Sequence, residues 1–562
     1  LIVDGYSGFV HYNPSAEVHE HFRALSQEDL ALIQGLEALR DLPYPVFLDS
    51  AYPHSDRGRY DILSASPLET LTINLNNSSV YADKTRVFRD METLLNQLEP
   101  VSDTGEDLPF AGGVIGAFSY DGGRELTGIH RRQRGSDNSD QADQAFPDFF
   151  AGLYSWAIVV DHFNRTRSLI SHPATPHELL RDIEQRLAAP PAVSTEGFGL
   201  VSPLHTPLDQ ARYAALFEQV QAYILAGDCY QINLARRFEA SYQGSPWEAY
   251  RQLRTLAAAP FSAYLELPNS SVLSFSPERF LRVEHGEVTT TPIKGTAPRS
   301  AIPETDRALA DALLNSDKDR AENLMIVDLL RNDIGRCCEP GSIHVEKLFE
   351  LQSFQTVHHL VSTISGRLAV GQSPLNLLEA CFPGGSITGA PKHRAMEIIE
   401  ELEPHSRSIY CGSVAYVSCH GTMDSNIAIR TMLCEAGKLY CWSGGGIVAS
   451  PTFDITVAAG SVALTGTVTD DSELDIRAGG STIILTLTDD SWVAAGATFD
   501  AQRQNIINGL DSAQAEANGW DAVVQTGIAV SDVVRNGSTV VTITLPAVAS
   551  YDISAQETIT AT

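Results

Sequence analysis

The composition of this chain breaks sharply near residue 450. No lysine follows Lys438 and no cysteine follows Cys441, although the chain runs to 562 residues. Two stretches of such different character do not share one hydrophobic core, so the chain reads as separate pieces joined at about residue 450. Beyond the break, Thr, Val, Ala, Asp and Gly dominate. β-prone runs at Ser481–Thr488 and Ser538–Leu545 are set apart by turn clusters such as Asp470-Asp471 and Asn536-Gly537. That pattern predicts an all-β, sandwich-like domain over 450–562, with one helix around Ala501–Asn518.

Before the break, two regions separate. Residues 1–200 contain a polar stretch, His130–Gln144, that reads as an exposed loop, and a linker-like passage runs from Ala188 to Pro207. In 201–449, Tyr213, Phe217, Val220 and Ile224 recur at helical spacing, which predicts a helix over 209–226 ending at Gly227. Alternation over Asn426–Leu433 predicts a strand with Ile427, Ile429 and Thr431 on one face and Asn426, Ala428 and Arg430 on the other.

Charge narrows the partners. Against 39 Lys+Arg stand 70 Asp+Glu, a net −31, and such a surface repels nucleic acid and anionic membrane. An anionic small molecule then needs a pocket with a few placed cations. There is no apolar run of about 18 residues and no basic-then-apolar leader pattern. The eight cysteines show no paired zinc spacing and read as reduced thiols, as in a cytoplasmic protein.

Several short stretches hold residues suited to chemistry. Pro292, Gly295 and Pro298 fix the backbone around Lys294, but a lysine nucleophile must also be neutral. Asp319 and Glu322 share a face if their segment is helical, as a ligand pair for a hard cation or as ordinary surface charge. The glycine-rich 382–394 leads into a helix whose free N–H groups suit a carboxylate or phosphate, though it lacks the P-loop order. His358 and His359 are adjacent, and Gly444–Gly446 let backbone approach a ligand. Taken singly, each is as well explained by a turn, a solvated face or a core histidine.

Taken together and in order, these stretches resemble the chorismate-binding enzymes. The segments are DCYQINLARRF (228–238), SFSPERF (274–280), PIKGTAPR (292–299), DRAENLMIVDLLRNDIGR (319–336), VHHLVSTI (357–364), FPGGSITGAPKHRAMEIIEELEP (382–404) and CGSVAYVS (411–418). LPFAGGVIGAFSYDGGRE (108–125) and PDFFAGLYSWAIVVDH (147–162) extend the resemblance over roughly 40–449. It implies an α/β (α+β) fold of two halves, each with a large, mainly antiparallel sheet flanked by helices. In the family, anthranilate synthases carry alanine where this chain has Lys294, so the resemblance implies amination of chorismate at carbon 4. The product, 4-amino-4-deoxychorismate, is a precursor of 4-aminobenzoate for folate synthesis.

By the same resemblance, Lys294 attacks carbon 2, His359 assists loss of the hydroxyl and Glu278 shuttles protons. Arg430, Tyr416, Thr388, Gly445 and Gly446 line the substrate pocket. Glu322, with Asp319 beside it, holds Mg²⁺. Ser50 lies where the family has a tryptophan pocket. No glutaminase motif is visible, which implies a separate glutaminase subunit supplying ammonia.

One departure stands out. In the family, the glycine run leads to a final helix with two glutamates for the metal and a lysine for the substrate. Here Ala449 runs into Ser450-Pro451-Thr452-Phe453 and a β-prone stretch. The expectation is weak Mg²⁺ and chorismate binding. Two other readings remain at this point: an anthranilate synthase, and a non-catalytic β-sandwich interaction protein carrying a synthase-like remnant.

Overall fold

In the computed structural model, buried apolar strands assemble two large sheets, and the chain passes between them repeatedly. The structure describes residues 37–52, 58–75, 81, 83–101, 108–130, 146–188, 197–354 and 357–448. It also describes the strand backbones Val10–His11, His21–Ala24, Phe453–Val457, Thr467–Val468, Thr482–Leu487, Val533–Arg535, Val540–Thr544 and Glu557–Thr558.

Among these residues the larger sheet has 13 strands. Its order is Val10–His11, His21–Ala24, Thr166–Ser171, Trp156–Asp161, Tyr60–Ser64, Val46–Asp49, Phe261–Leu267, Ser270–Ser276, Thr431–Glu435, Lys438–Val448, Gln231–Gly244 and Phe198–Leu200. Gly389–Ala390 pairs beside Gln231–Gly244. The smaller sheet has 10 strands. It runs Ile293–Pro298, Val357–Arg367, Glu287–Thr290, Arg279–Glu284, Met423–Asn426, Ser413–Ser418, Gly113–Phe118, Phe149–Tyr154 and Glu69–Ile73, with His344–Ser353 also on Val357–Arg367. Pairing is antiparallel, as expected. The boundary expected near residue 200 does not divide the sheets, because each draws strands from both sides of it.

Strands Gly113–Phe118, Phe149–Tyr154 and Ser413–Ser418 are buried along their whole length. A strand covered on both faces needs apolar residues throughout, which is why these segments read as continuous rather than alternating hydrophobic runs. Phe118, Phe149, Phe280 and Phe382 pack in edge-to-face and tilted pairs in this core, with centroids 6.0 to 6.4 Å apart.

The helix expected over 209–226 spans Gln210–Leu225, capped by the Asp209 carboxylate, which accepts from the Arg212 N–H at 2.8 Å. The strand expected over Asn426–Leu433 is two strands, Met423–Asn426 in the smaller sheet and Thr431–Glu435 in the larger. Arg430 has φ 50°, and that left-handed residue ends any common alternation of faces.

The chain divides into two units, the second made of 448–562 together with 316–318. That unit holds a sheet ordered Phe453–Val457, Thr482–Leu487, Val540–Thr544, Val533–Arg535, whose first pair is parallel and the others antiparallel. Thr467–Val468 pairs with Glu557–Thr558. The helix expected at Ala501–Asn518 and the loop at 131–144 lie outside the described residues. All eight cysteines are free thiols, and among the described residues no helix is long and apolar enough to cross a membrane.

Candidate active site

Two of the passages between the sheets meet at one place. The chain leaves the larger sheet after Ser276 and enters the smaller at Arg279; it returns between Asn426 and Thr431. The two passages hold each other. The Ile427 N–H donates to the Glu278 carbonyl at 3.1 Å, and the Phe275 N–H donates to the Arg430 carbonyl at 3.1 Å. Ser276 Oγ donates to the Ile427 carbonyl at 2.5 Å. Glu278 and Arg430 therefore sit on backbone fixed by hydrogen bonds rather than on free loops.

Glu278 is 5 % exposed and accepts a 2.6 Å hydrogen bond from Ser386 Oγ. The Ser386 carbonyl in turn accepts from Lys294 Nζ at 2.9 Å. Lysine and carboxylate are thus joined through one serine. Burial raises the Glu278 carboxyl to about 7; the Ser386 bond, the Lys294 charge and the Ile293 backbone bond oppose it. Near neutral pH it both holds and releases a proton.

Lys294 owes its direction to a bulge. On Val357–Arg367, Ile293 faces Val361 but Thr296 faces His359, so the register shifts across Lys294 and Gly295. Gly295 has φ +85°, and a Cβ there would lie 3.0 Å from Asp319 Cβ and from Leu313. Only glycine suits that turn beside the helix Asp317–Gly335.

His359 lies on the neighbouring strand with Nδ1 2.9 Å from Thr296 Oγ1. Burial first, then the charge of Arg430, lowers its pKa to about 4, against a backbone hydrogen bond at Gly295. The imidazole is neutral at pH 7. The Arg430 guanidinium is therefore within electrostatic reach of His359. Partial desolvation holds the Arg430 guanidinium below its ordinary range, and among the described residues no carboxylate pairs with it. A free cation on fixed backbone suits a carboxylate ligand.

The glycine run, within strand Lys438–Val448, exposes Gly444, Gly445 and Gly446. A Cβ on Gly446 would lie 2.4 Å from Gln231 Nε2, so that strand and Gln231 are in close approach. Gln231 Nε2 reaches Glu322 Oε2 at 3.5 Å, while its buried Oε1 has no partner among the described residues. Asp319 and Glu322, three residues apart on one helix, lie beside Gly295 and Gln231 respectively.

Mg²⁺ takes near-octahedral coordination and keeps several waters. Two carboxylates from one helix offer little of that shell, and among the described residues no group of three or more His, Cys, Asp or Glu is arranged to hold a metal. The described residues thus do not by themselves fit the ion. Calorimetric titration should find weak Mg²⁺ binding. Tight binding that Glu322→Gln abolishes would place further donors outside the described residues.

Other expected residues fall elsewhere. The Thr388 side chain is fully buried and its hydroxyl is spent on the Gly384 and Gly385 carbonyls at 3.3 and 3.2 Å, so it shapes the loop. Tyr416 does not join the Lys294 site. It lines a separate cavity of about 360 Å³ with Ser50, Arg279 and Asp424. Its strand, Ser413–Ser418, is buried on both faces and gave no sign of which way the ring points. Tyr410, which the sequence reading did not single out, lies against the glycine run, its hydroxyl 3.0 Å from where a Cβ on Gly444 would be. Ser50 donates both its N–H and its Oγ–H to Asp61 Oδ1, at 2.6 and 2.7 Å.

A buried arginine, also missed, frames the loop. Arg407 donates to the Ile387 carbonyl at 3.1 Å and to Glu403 at 2.9 and 2.7 Å, and Glu403 accepts from the Ala235 N–H at 2.7 Å. It holds 385–388, hence Ser386, against Gln231–Gly244.

A family model described as chorismate binding enzyme matches residues 45–452. The chain belongs to the chorismate binding enzyme family. Among its curated relatives, aminodeoxychorismate synthase component 1 of Salmonella typhimurium (strain LT2) is 46 % identical over 415 residues, covering 73 % of this chain and 88 % of the relative. The Escherichia coli (strain K12) protein of that name is 44 % identical, with 73 % and 89 % covered. Anthranilate synthase component 1 of Pseudomonas putida is 33 % identical, with 73 % and 86 % covered. Among solved structures of the family, anthranilate synthase component I from Streptococcus pneumoniae TIGR4 superposes with a TM-score of 0.59 at 30 % identity, covering 71 % of this chain and 89 % of that one. The family match ends within a few residues of the compositional break, and Phe453–Val457 just beyond it is a strand.

Proposed function

We propose that the chain aminates chorismate at carbon 4 to give 4-amino-4-deoxychorismate. The observation that carries this reading is the Lys294–Ser386–Glu278 connection, a candidate nucleophile tied to a carboxyl poised near neutrality. It agrees with the names of the relatives at 46 % and 44 % identity.

The reaction divides between named groups. Arg430 and the open backbone of Gly445 and Gly446 bind carboxylate. Glu278 accepts a proton from Lys294, and Lys294 Nζ bonds to carbon 2. The ring double bonds shift and the carbon 4–oxygen bond breaks. The leaving hydroxyl departs as water with the proton from Glu278, steadied by a hydrogen bond from His359. Ammonia then adds at carbon 4, the double bonds shift back, the carbon 2–nitrogen bond breaks and Lys294 is free. Chorismate and ammonia give the amine and water. A separate glutaminase subunit is the proposed source of ammonia. The 360 Å³ cavity at Ser50 is the place for the amino-acid pocket that the family resemblance implies.

The test is product identity. Chorismate and an ammonium salt, incubated with the chain and Mg²⁺, should give 4-amino-4-deoxychorismate on chromatography. Anthranilate as the product would favour the rival synthase and overturn the role given to Lys294.

A further inference from the structure

His358 stands next to His359 on strand Val357–Arg367, so its side chain leaves by the opposite face. The reaction above does not use it, yet it is 3 % exposed and held at both ring nitrogens. Nε2 lies 3.1 Å from Asp306 Oδ1, and Nδ1 lies 2.8 Å from Ser353 Oγ. Asp306, in the first turn of helix Pro303–Asn315, is gripped by Arg299, whose Nε and Nη2 donate at 2.8 and 2.9 Å. The Ser300 N–H adds a bond of 2.9 Å. Led by Arg299, these donors hold the carboxyl well below the usual carboxylate range. Asp306 is therefore an acceptor, and His358 Nε2 carries its proton toward it.

The same arginine reaches one residue further. Arg299 Nη1 donates to the Phe354 carbonyl at 2.6 Å, and the Phe354 N–H donates to the Val357 carbonyl at 2.8 Å. Ser353, bonded to His358, immediately precedes Phe354. The backbone of Phe354 is thus pinned on both sides. Its ring meets the His359 imidazole edge-on, with centroids 5.4 Å apart at 68°. Thr296 is hydrogen-bonded to that imidazole at Nδ1 and the Gly295 backbone adds another hydrogen bond, while the Phe354 ring is the aromatic contact that bears on its plane.

We propose that His358 is a positioning residue for His359: with Asp306, Arg299 and Ser353 it fixes Phe354, and Phe354 fixes the plane of the His359 imidazole. The idea rests on the reading of His359 as a catalytic residue. A small misplacement of a reacting group costs up to about a hundredfold in rate, so a group that touches no substrate still governs turnover.

The test is a double-mutant cycle with ammonium as nitrogen donor. His358→Gln, Arg299→Lys and Phe354→Leu are each made alone and together with His359→Gln. Each single change should lower kcat about tenfold or more, with KM for chorismate within about twofold. In the His359→Gln background none should lower it further, because the positioned group is gone. Equal losses in both backgrounds, or unchanged kcat in the single variants, would overturn the proposal while leaving the catalytic reading intact. His359→Gln at the wild-type rate would refute that reading and, with it, this one. Arg299 is one-third exposed at its side chain, 33 %, so Arg299→Lys keeps the test alive if His358→Gln fails to fold. Selective ¹⁵N-histidine NMR gives a readout independent of turnover: His359 should show one tautomer in the wild type and tautomer averaging in Arg299→Lys. An unchanged His359 signal in that variant also overturns the proposal.

Discussion

Replacing Lys294 with alanine is expected to remove the covalent adduct and to lower amination at carbon 4 by at least about 10³-fold. The reason is geometric before it is chemical. The bulge at Lys294 and Gly295 turns the side chain off the sheet, toward Ser386 and Glu278. Among the described residues, no other lysine or cysteine is joined through a serine to a buried carboxyl held near neutral pKa. Mass spectrometry of an acid-quenched reaction should show chorismate, less one water, attached to wild-type chain and nothing on the variant. Lys294→Arg should fail equally, since a guanidinium is neither neutral nor nucleophilic at pH 7. Full adduct formation in Lys294→Ala would move the nucleophile elsewhere and dissolve the proposed mechanism.

Lys294, Glu278 and His359 were legible in the sequence because each sits in a contiguous segment whose neighbours carry the family resemblance. What joins them was not. Ser386 lies 108 positions from Glu278 and 92 from Lys294, and nothing local in SITGAPK marks its carbonyl and hydroxyl as the bridge. Arg430 was placed on a regular strand, which the structure breaks at that residue. Alternation over NIAIRT counts faces on one sheet, whereas here the chain is changing sheets, and its left-handed residue is an arginine rather than a glycine. Tyr416 shows a related limit: period two assigns a side only when one face is solvated, and its strand has none. The division at residue 200 misled because antiparallel pairing joins strands far apart in sequence, such as Val46–Asp49 with Phe261–Leu267.

Glu278→Gln should separate activity from stability. The productive enzyme carries one proton between Lys294 and Glu278. Below about pH 7 a second proton enters Glu278, so kcat/KM should fall as the pH drops through that value. The glutamine variant should lose this limb along with about 10²–10⁴-fold of its rate. Stability moves the other way. The folded carboxyl is raised from 4.5 to about 7, so the folded chain binds the proton more tightly than the unfolded one. That contribution is fully present below pH 4.5, shrinks as the pH rises through about 7, and is then gone. The difference, about 3 kcal/mol at most, is what the fold gives up at pH 8 to bury an ionised carboxylate. Glutamine keeps the acceptor for Ser386 Oγ and cannot ionise. It should therefore unfold at a higher temperature than wild type at pH 8 and at nearly the same temperature at pH 5, as read by calorimetry at both values. A variant that is less stable at pH 8 would mean that the Lys294 charge outweighs burial, and that Glu278 is ionised in the resting enzyme well below neutrality.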